Sequence, residues 1–510
     1  MDPALAERAH QAGLEPDLVY VVDVDGYDRV VGGTGPYGDS GFQDIYVSPA
    51  GGDIRLTVER LVLDDAGCPG LPIPAAEPAG AQPGPSDRRT VAPAAAFCAV
   101  APQFDTVTAM TTTAGPMDGV KVVEIGLWLA GPACGAILAD WGADVVKVEP
   151  LDGDPFRGYA YLFGGEANPP FELDNRGKRS IAVDLRQPAG LQVALDLLAE
   201  ADVLVTNYRP GGLERLGLDW PSVHAHNPRL VYLSLTGYGL EGPERDRAAY
   251  DMGAFWARAG VAASLTLAGQ PLPYQRGGMG DHMTGLAAAG GVAAALFRRE
   301  RTGEGTLVET SMLRLGMYQM GTDLSANVRL GTKTFATPLH EAVNPLLTGY
   351  QGSDGEWFWL LCLEGDRHWP RVLAALGRPE LGDDPRFNSM EGRGANAKVV
   401  AAELQAVFAT RTRDEWGAIF DREGVWWARV QHTHDLVDDP QANAARGFVD
   451  MPLADGTTAR MVATPVDFDG RSPEIAQPTP ELGQHTELVL LELGRTWDEI
   501  EALREAGAIA

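Results

Sequence analysis

Short apolar runs alternate with longer amphipathic segments between residues 118 and 235. Runs rich in valine, isoleucine and leucine indicate buried strands, and segments with apolar positions three and four residues apart indicate helices. The pattern predicts strands over 120–125, 144–149, 180–184, 202–206 and 229–235, and helices over 132–141 and 188–199. Strands that alternate with helices favour an α/β fold with a parallel, Rossmann-like sheet, which binds ligands beyond the carboxyl ends of its strands.

The second half of the chain carries a different mixture. Helices are predicted over 249–260, 282–300 and 307–330, and the end, 482–508, is also helical and acidic. Between them, about 340–465 indicates a smaller mixed α/β unit. It has a predicted strand over 356–362 and predicted helices over 366–376, 397–410 and 413–422.

The N-terminal region differs from the rest. Residues 1–70 predict a small β-rich extension, with strands over 18–24 and 54–62 and glycine-rich turns between them. Residues 71–116 are rich in proline, alanine and glycine and predict a linker. Met110 or Met117 would be a natural start for a complete enzyme. The pattern assigns residues 1–109 no function.

Composition narrows the class of partner. The 510 residues carry a formal net charge of −29, which argues against nucleic acid or an anionic membrane as the main partner. The four cysteines are scattered without metal-binding spacing, which fits a reducing compartment. Neither a transmembrane run nor a secretory signal is evident in the sequence, so we expect a cytoplasmic protein.

Two Gly-x-Gly-x-x-Gly segments fit a dinucleotide site poorly. Gly33–Gly38 contains a proline and leads into a strand-like segment, which is typical of a turn. Gly237–Gly242 follows a strand, but Pro243 comes next and no acidic residue lies about 20 positions on. His432 and His434 have no third ligand nearby. We therefore expect neither a nucleotide-dependent dehydrogenase nor a metal site.

One glycine-rich segment brings a carboxylate to the start of a predicted helix. Gly277–Gly285 contains Gly280 and Asp281 and precedes a long apolar run. Glycine lets the backbone approach a ligand, and the helix N-terminus stabilises an anion. Asp281 is thus a candidate nucleophile, with an ordinary helix cap as the alternative.

Nine segments together resemble a known family by their order and spacing. They are Gly119–Cys134, Leu138–Pro150, Asn175–Leu185, Asp202–Gly211, Asn227–Tyr232, Gly237–Pro243, Ala249–Asp251, Met279–Gly285 and Arg301–Gly305. The family is the class III CoA-transferases (CaiB/BaiF), which includes formyl-CoA transferase. The resemblance covers about 117–500 and implies the CoA-transferase fold.

The resemblance implies a covalent mechanism. The aspartate of the Gly-Asp motif, Asp281 here, attacks an acyl-CoA donor and forms a mixed anhydride, then an aspartyl-CoA thioester. An acceptor carboxylic acid then receives the CoA. Such an enzyme needs no permanently bound cofactor, because coenzyme A enters as part of the substrate.

The resemblance also assigns a CoA-binding set, position by position. Trp128 matches the site of the nucleotide end. Arg186 and Arg215 match basic contacts, for which the alternative is a solvated surface charge. The remaining matches are Val183, Asn207, Tyr208, Tyr250 and Gly280. Lys178 and Arg179 are either phosphate attractors or structural residues.

Departures from formyl-CoA transferase bear on the substrate. Leu129 replaces a glutamine, Glu149–Pro150 replaces a Glu-Arg pair, and a glycine-rich loop is not evident in 336–352. These changes argue against oxalate or formate. The segment Ala254–Arg258 resembles the subfamily that handles larger apolar or aromatic acids.

Two other functions stay open. An α-methylacyl-CoA racemase shares the fold, but Tyr250 stands where its histidine would be, and a tyrosine is a poor base at neutral pH. A non-catalytic acyl-CoA-binding protein is the third possibility. The identities of the donor and acceptor acids do not follow from the sequence.

The resemblance also implies an interlocked homodimer and a division of the chain. We expect a large CoA-binding catalytic domain over 117–335, a small α/β domain over 336–465, and a C-terminal segment over 466–510 that returns to the large domain. The segments 301–345 and 465–510 are candidates for the crossing linkers between two chains.

Overall fold

A computed structural model describes residues 115–165, 167–475 and 477–510, together with the backbone of four short strands nearer the N-terminus. These strands are β1 (Asp28–Arg29), β2 (Gly35–Tyr37), β3 (Gly41–Val47) and β4 (Asp53–Val58), and β3 pairs antiparallel with each of the others. The strand predicted over 54–62 overlaps β4. The strand predicted over 18–24 and the linker up to residue 114 lie outside the described residues.

Chain contacts divide the protein into two compact units. Unit one contains 1–234, 285–308 and 449–510, and unit two contains 235–284 and 309–448. The domain limits expected from the sequence, at 335 and 465, stay predictions. The two units are described one at a time below.

A six-stranded sheet organises unit one. Its strands are β5 (Lys121–Ile125), β6 (Asp144–Glu149), β7 (Arg179–Ala182), β8 (Val203–Thr206), β9 (Val231–Thr236) and β10 (Thr306–Ser311). Their order is β10-β9-β8-β5-β6-β7, and the ladders from β9 to β7 are parallel. The predicted α/β class with a parallel sheet is confirmed.

The remaining strands form smaller sheets. β11 (Gly349–Gln351), β12 (Trp357–Leu360) and β13 (Trp427–Arg429) form an antiparallel sheet. β14 (Phe448–Pro452) pairs with β15 (Thr458–Val462).

Most predicted helices have a counterpart in the structure, and the predicted helices over 307–330 and 482–508 are each divided in two. They are α1 (Ala130–Asp140), α2 (Pro169–Asn175), α3 (Pro188–Glu200), α4 (Pro210–Leu216), α5 (Trp220–His226), α6 (Val261–Ser264), α7 (Met279–Thr302), α8 (Met312–Gln319), α9 (Gly321–Leu330), α10 (Gly365–Leu376), α11 (Met390–Ala395), α12 (Ala397–Phe408), α13 (Arg413–Glu423), α14 (Pro440–Ala444), α15 (Thr486–Glu492) and α16 (Trp497–Glu505). The helix predicted over 307–330 is wrong at its start, because 306–311 is strand β10. Its β-branched residues favour an extended backbone, and β9 offers a partner.

Two shorter helical elements adjoin the candidate site residues. A 3₁₀-helix spans Pro155–Phe163, and a π-helix spans Met252–Arg258 where an α-helix was predicted over 249–260. π-Helical turns are rare in proteins overall, and many of those that occur lie at functional sites.

Apolar residues of the strands and of the C-terminal segment share one core in unit one. Val123, Val148 and Ile181 pack with Leu490 and Ile509 in a buried cluster. The imidazole Nδ1 of His485 also accepts a hydrogen bond from the Ser180 amide, at 3.1 Å. The C-terminal segment is therefore fixed to the edge strand β7.

Unit two has its own core. Phe358, Phe408, Trp416 and Phe420 pack around the small sheet with ring centroids 5.1 to 5.9 Å apart. The aromatic pairs add to the stability of an otherwise small sheet.

Candidate active site

The loop after β5 holds a tryptophan in an unusual backbone conformation. Trp128 has a φ of 67°, in the left-handed region that costs a non-glycine residue about 1–2 kcal/mol. Its amide donates to both carboxylate oxygens of Asp154, each at 3.1 Å. Its ring lies against Phe156 and Tyr159. The half-buried ring of this predicted CoA-binding residue is thus held at the carboxyl edge of the sheet.

Asn207 binds the same loop through its side chain. The Leu127 amide donates to its Oδ1 at 3.0 Å, and its Nδ2 donates to the Leu127 carbonyl at 2.7 Å. Tyr208 follows and is partly buried, and burial together with the carboxylates of Asp154 and Glu149 raises the pKa of its hydroxyl. The structure therefore brings Asn207 and the loop of Trp128 together.

A buried charge cluster lies below this loop. Glu124 on β5 is the cross-strand partner of Lys147 on β6, and Lys147 Nζ lies 2.9 Å from its carboxylate. Lys178 Nζ donates to the other Glu124 oxygen at 2.7 Å. All three side chains are fully buried. A Cβ on Gly135 would lie 2.0 Å from Glu124 Oε2, so any side chain at this position of α1 would displace the Glu124 carboxylate.

Neighbouring opposite charges favour the ionised forms of Glu124 and Lys147, whereas burial lowers the pKa of Lys178. Burial opposes ionisation of Glu124, but Lys147 and Lys178 outweigh it and hold the pKa of Glu124 below its usual range. Burial opposes the charge of Lys147 as well, yet Glu124 and Asp154 raise its pKa. A buried charge that is paired and hydrogen-bonded in this way is tolerated, whereas an unpaired one costs several kcal/mol.

The two basic residues considered as phosphate attractors are engaged within the protein. Lys178 donates to Glu124 and to three further oxygens, of Pro132, Asp174 and Asn175. Arg179 pairs with Asp144 and Glu492. Of the two readings, the structural one fits these contacts.

The remaining predicted residues of unit one differ in exposure. Val183 is buried in the core, and its amide donates to the Glu149 carbonyl. Arg186 is exposed and pairs with Asp184, whose pKa its guanidinium holds below the usual range. Arg215 is exposed in the last turn of α4. The two arginines are accessible to an anionic ligand, whereas Val183 offers only its main chain.

The candidate nucleophile lies in unit two at the start of the longest described helix. Asp281 is in the first turn of the 24-residue helix α7 and is only 7% exposed. A Cβ on the preceding Gly280 would lie 2.6 Å from Cγ of Phe255 and 2.9 Å from Cβ of Asp251. Thr284 Oγ1 donates to the Gly280 carbonyl at 2.6 Å. The glycine lets the first turn of α7 pack directly on these two residues.

A second carboxylate supports this turn. Asp251 is buried, and its Oδ2 accepts from the Gly280 amide at 3.1 Å and from Gln275 Nε2 at 2.8 Å. The Gln275 side chain is also buried, and its Oε1 has no hydrogen-bond partner among the residues that the structure describes. Asp251 thereby fixes the backbone one residue before Asp281.

Tyr250 precedes this carboxylate and is 62% exposed. Its carbonyl accepts the amides of Gly253 and Ala254, which starts the π-helical segment. Its ring is therefore accessible, as expected for a residue that contacts a ligand.

In 115–165, 167–475 and 477–510 there is no group of three or more potential metal ligands, and no helix is long and apolar enough to cross a membrane.

Comparison with known proteins identifies the family to which this chain belongs. The model of CoA-transferase family III matches residues 117–486, and the chain belongs to that family. It is an enzyme of the CoA-transferase class. The predicted family and the predicted fold are both confirmed.

The chain is similar to particular relatives over most of their length. It is 32% identical over 399 residues to (R)-2-hydroxy-4-methylpentanoate CoA-transferase of Clostridioides difficile, covering 77% of this chain and 99% of that one. It is 34% identical over 404 residues to cinnamoyl-CoA:phenyllactate CoA-transferase of Clostridium sporogenes, covering 78% and 98%. A solved CaiB/BaiF family protein from Brucella suis superposes with a TM-score of 0.65 at 32% identity, covering 74% and 99%.

Sequence reasoning missed the residues that support the site, although a signal was present. Glu124 and Lys147 each interrupt an apolar strand that is buried on both faces. A charged residue in such a strand indicates a buried ion pair. Asp154 and Gln275 lie in loops or at helix ends, where the sequence carries no comparable signal. Asp251 belongs to the Ala249–Asp251 segment, but its support of Gly280 was not predicted.

Proposed function

We propose that Asp281 is the nucleophile of this CoA-transferase. A carboxylate oxygen of Asp281 attacks the donor thioester carbon, the carbon–sulfur bond breaks, and CoA thiolate leaves a mixed anhydride. The thiolate then attacks the aspartyl carbon, releases the donor acid as carboxylate, and forms the aspartyl-CoA thioester.

The second half repeats the exchange with the acceptor acid. The acceptor carboxylate attacks the aspartyl thioester, CoA thiolate leaves, and a second anhydride forms. The thiolate attacks the acyl carbon of the acceptor, and Asp281 returns as carboxylate. No permanently bound cofactor is required in this scheme, since coenzyme A enters with the donor.

The placement of Asp281 carries the proposal. Asp281 is 7% exposed in the first turn of a helix, where the positive end of the helix dipole favours a negative charge and burial limits contact with bulk water. Shelter matters because water would hydrolyse an anhydride. The Gly280 and Asp251 contacts support a fixed position for this turn.

The CoA-binding set is part of the same proposal. Trp128 would receive the nucleotide end, and the exposed Arg186 and Arg215 would meet phosphates. Asn207 and Tyr208 would flank the pantetheine arm, and Tyr250 the thioester. Val183 would contribute through its carbonyl, because its side chain is buried and its amide is bound to Glu149.

Trapping of the intermediate tests the mechanism. Acyl-CoA with hydroxylamine should convert Asp281 to a hydroxamate that is detected by peptide mass spectrometry, and Asp281→Ala should lower turnover at least a thousandfold. Asp498→Asn, another acidic residue in a first helical turn, should leave turnover unchanged. An unmodified Asp281 with α-proton exchange in the substrate would indicate a racemase, and neither signal would indicate a binding protein.

We also propose that the acceptor is a larger apolar or aromatic acid. Phe255 packs beneath the Gly280 turn, and Trp256 beside it is partly exposed. Two relatives are named for 2-hydroxy-4-methylpentanoate and for cinnamoyl-CoA and phenyllactate. Aromatic and branched acids should exceed oxalate and formate at least tenfold in kcat/KM in a mass-spectrometric screen, and a preference for oxalate would contradict this proposal.

We further propose a homodimer in which a second chain covers part of unit two. Within the described part of the chain, helix α9 has no buried residue, and four large apolar residues on it or near its ends are 70% to 86% exposed, namely Tyr318, Val328, Leu330 and Phe335. A helix without a buried face gains little stability by itself, and a large exposed apolar surface is typical of an interface.

The cytoplasmic location expected from the sequence stays a proposal.

A further inference from the structure

Three consecutive residues after β5 are each held by a side chain from elsewhere in unit one. Lys147 Nζ donates to the Gly126 carbonyl at 3.1 Å, Asn207 pairs with both backbone groups of Leu127, and Asp154 accepts the Trp128 amide. Four successive backbone groups are therefore satisfied by side chains rather than by water. Such a loop is already fixed before any ligand arrives.

Asp154 is the centre of this arrangement. Its Oδ1 also accepts from the Phe156 amide, which caps the 3₁₀-helix, and its Oδ2 accepts from Lys147 Nζ at 3.0 Å. Its side chain is fully buried, as is that of Lys147. The Asp154 carboxylate thus binds three elements. They are the backbone of Trp128, the 3₁₀-helix whose Tyr159 packs against the Trp128 ring, and the Lys147 ammonium group, which also pairs with Glu124.

We propose that Asp154, together with Lys147, is a positioning residue for CoA binding. This proposal rests on the proposed function, in which Trp128 receives the nucleotide end of CoA. A left-handed tryptophan is unfavourable on its own, and the Asp154 hydrogen bonds offset that cost in the free enzyme. Because the loop is already fixed, it loses little further conformational freedom when CoA binds. Loss of the Asp154 contacts should therefore weaken CoA affinity more than it lowers kcat.

The test compares Asp154→Ala with Asp140→Ala. Asp140 is equally buried and pairs with Arg176, so its loss leaves a buried cation in the same unit without touching the loop. In the Asp281→Ala background, titration calorimetry with CoA should show at least tenfold weaker binding for Asp154→Ala. Asp140→Ala should change the affinity less than threefold.

Two further measurements separate positioning from general damage. With Asp281 intact, Asp154→Ala should raise KM for the acyl-CoA donor at least tenfold while kcat changes less than threefold. Hydrogen exchange of the peptide containing 126–128 should accelerate at least tenfold, with peptides from the β7 strand unchanged. Lys147→Met combined with Asp154→Ala removes both charges and should give the same pattern if the single variant does not fold.

Each result has a distinct meaning. Unchanged CoA affinity together with unchanged exchange over 126–128 would overturn the positioning role and leave the proposed function standing. An Asp281→Ala protein that binds no CoA would overturn the proposed function and this proposal with it. Equal losses in Asp154→Ala and Asp140→Ala would also overturn the proposal, because the effect would then be general destabilisation.

Discussion

At the scale of single residues, close approach and buried hydrogen bonds fix the backbone around the candidate nucleophile. Gly280 has Phe255 and Asp251 where a Cβ would stand, and its amide is bound by the Asp251 carboxylate. An aspartate at a helix start is usually only a cap. Here a second buried carboxylate, Asp251, fixes the residue before Asp281. This favours a functional role for Asp281 over that of a simple cap.

Substitution of Gly280 tests this close approach. Gly280→Ala puts a methyl group 2.6 Å from Phe255, so the first turn of α7 must shift. We expect turnover to fall at least tenfold and the free energy of unfolding to fall by about 1–3 kcal/mol. Steady-state kinetics and urea unfolding measure the two effects.

Gly290→Ala is the matched control, because no atom of the described residues lies within 4 Å of a Cβ at that position of the same helix. It should keep full activity and gain up to about 1 kcal/mol, since alanine favours a helix over glycine. Equal activity in the two variants would contradict the importance of the close packing at Gly280.

At the scale of elements, strands β5 and β6 combine an apolar pattern with one buried charge each. Their valines fill the core, while Glu124 and Lys147 face each other across the ladder. The apolar pattern was sufficient to predict both strands. The pairing of the charges needed the register between two strands whose charged residues are 23 positions apart in the chain, and only the folded sheet supplies this register.

The docking of the C-terminal segment on β7 should depend on pH through His485. Burial, aided by the charge of Arg179, lowers the pKa of His485 from 6.5 to about 4. Between these values the unfolded state binds a proton that the folded state does not, so stability falls as the pH drops below 6.5. The loss by pH 5 is about 2 kcal/mol.

His485→Asn keeps an acceptor for the Ser180 amide and removes the titration. Thermal unfolding from pH 7.5 to pH 5 should therefore show a smaller fall in Tm for this variant than for the native protein. His340→Asn, at an exposed histidine, should follow the native profile. Parallel profiles for all three proteins would show that His485 does not titrate as its burial predicts.

At the scale of the whole molecule, the exposed apolar surface around α9 predicts association. Val328 and Leu330 are 86% and 70% exposed, so Val328→Glu with Leu330→Glu should hardly affect folding of one chain. Charges placed in a buried interface are strongly unfavourable. We expect light scattering after gel filtration to show a dimer for the native protein and a monomer for the double variant.

Ser325→Glu lies on the same helix at an exposed polar position and should leave the dimer intact. A native protein that stays monomeric at micromolar concentration would contradict the proposed assembly.

The N-terminal region gives the last prediction. The family match begins at residue 117, and 77% and 78% of this chain match 99% and 98% of the length of two relatives. A protein starting at Met110 should therefore keep near-full CoA-transferase activity. Loss of activity with an intact fold would show that residues 1–109 belong to the enzyme.

The sequence by itself determined the elements and the family. Periodicity predicts each parallel strand within about three residues, because burial on both faces requires a continuous apolar run. Ordered motifs identified the CoA-transferase family and singled out Asp281, since a local glycine-aspartate signature is written in consecutive residues.

Only the tertiary structure decided which polar residues support the site. Asp154 lies 26 positions from Trp128, and Asn207 lies 80 positions from Leu127. Their hydrogen bonds depend on which strands are neighbours and in what register. A local sequence pattern specifies neither the neighbouring strands nor their register, because side chains that are distant in the chain meet only when the sheet has formed.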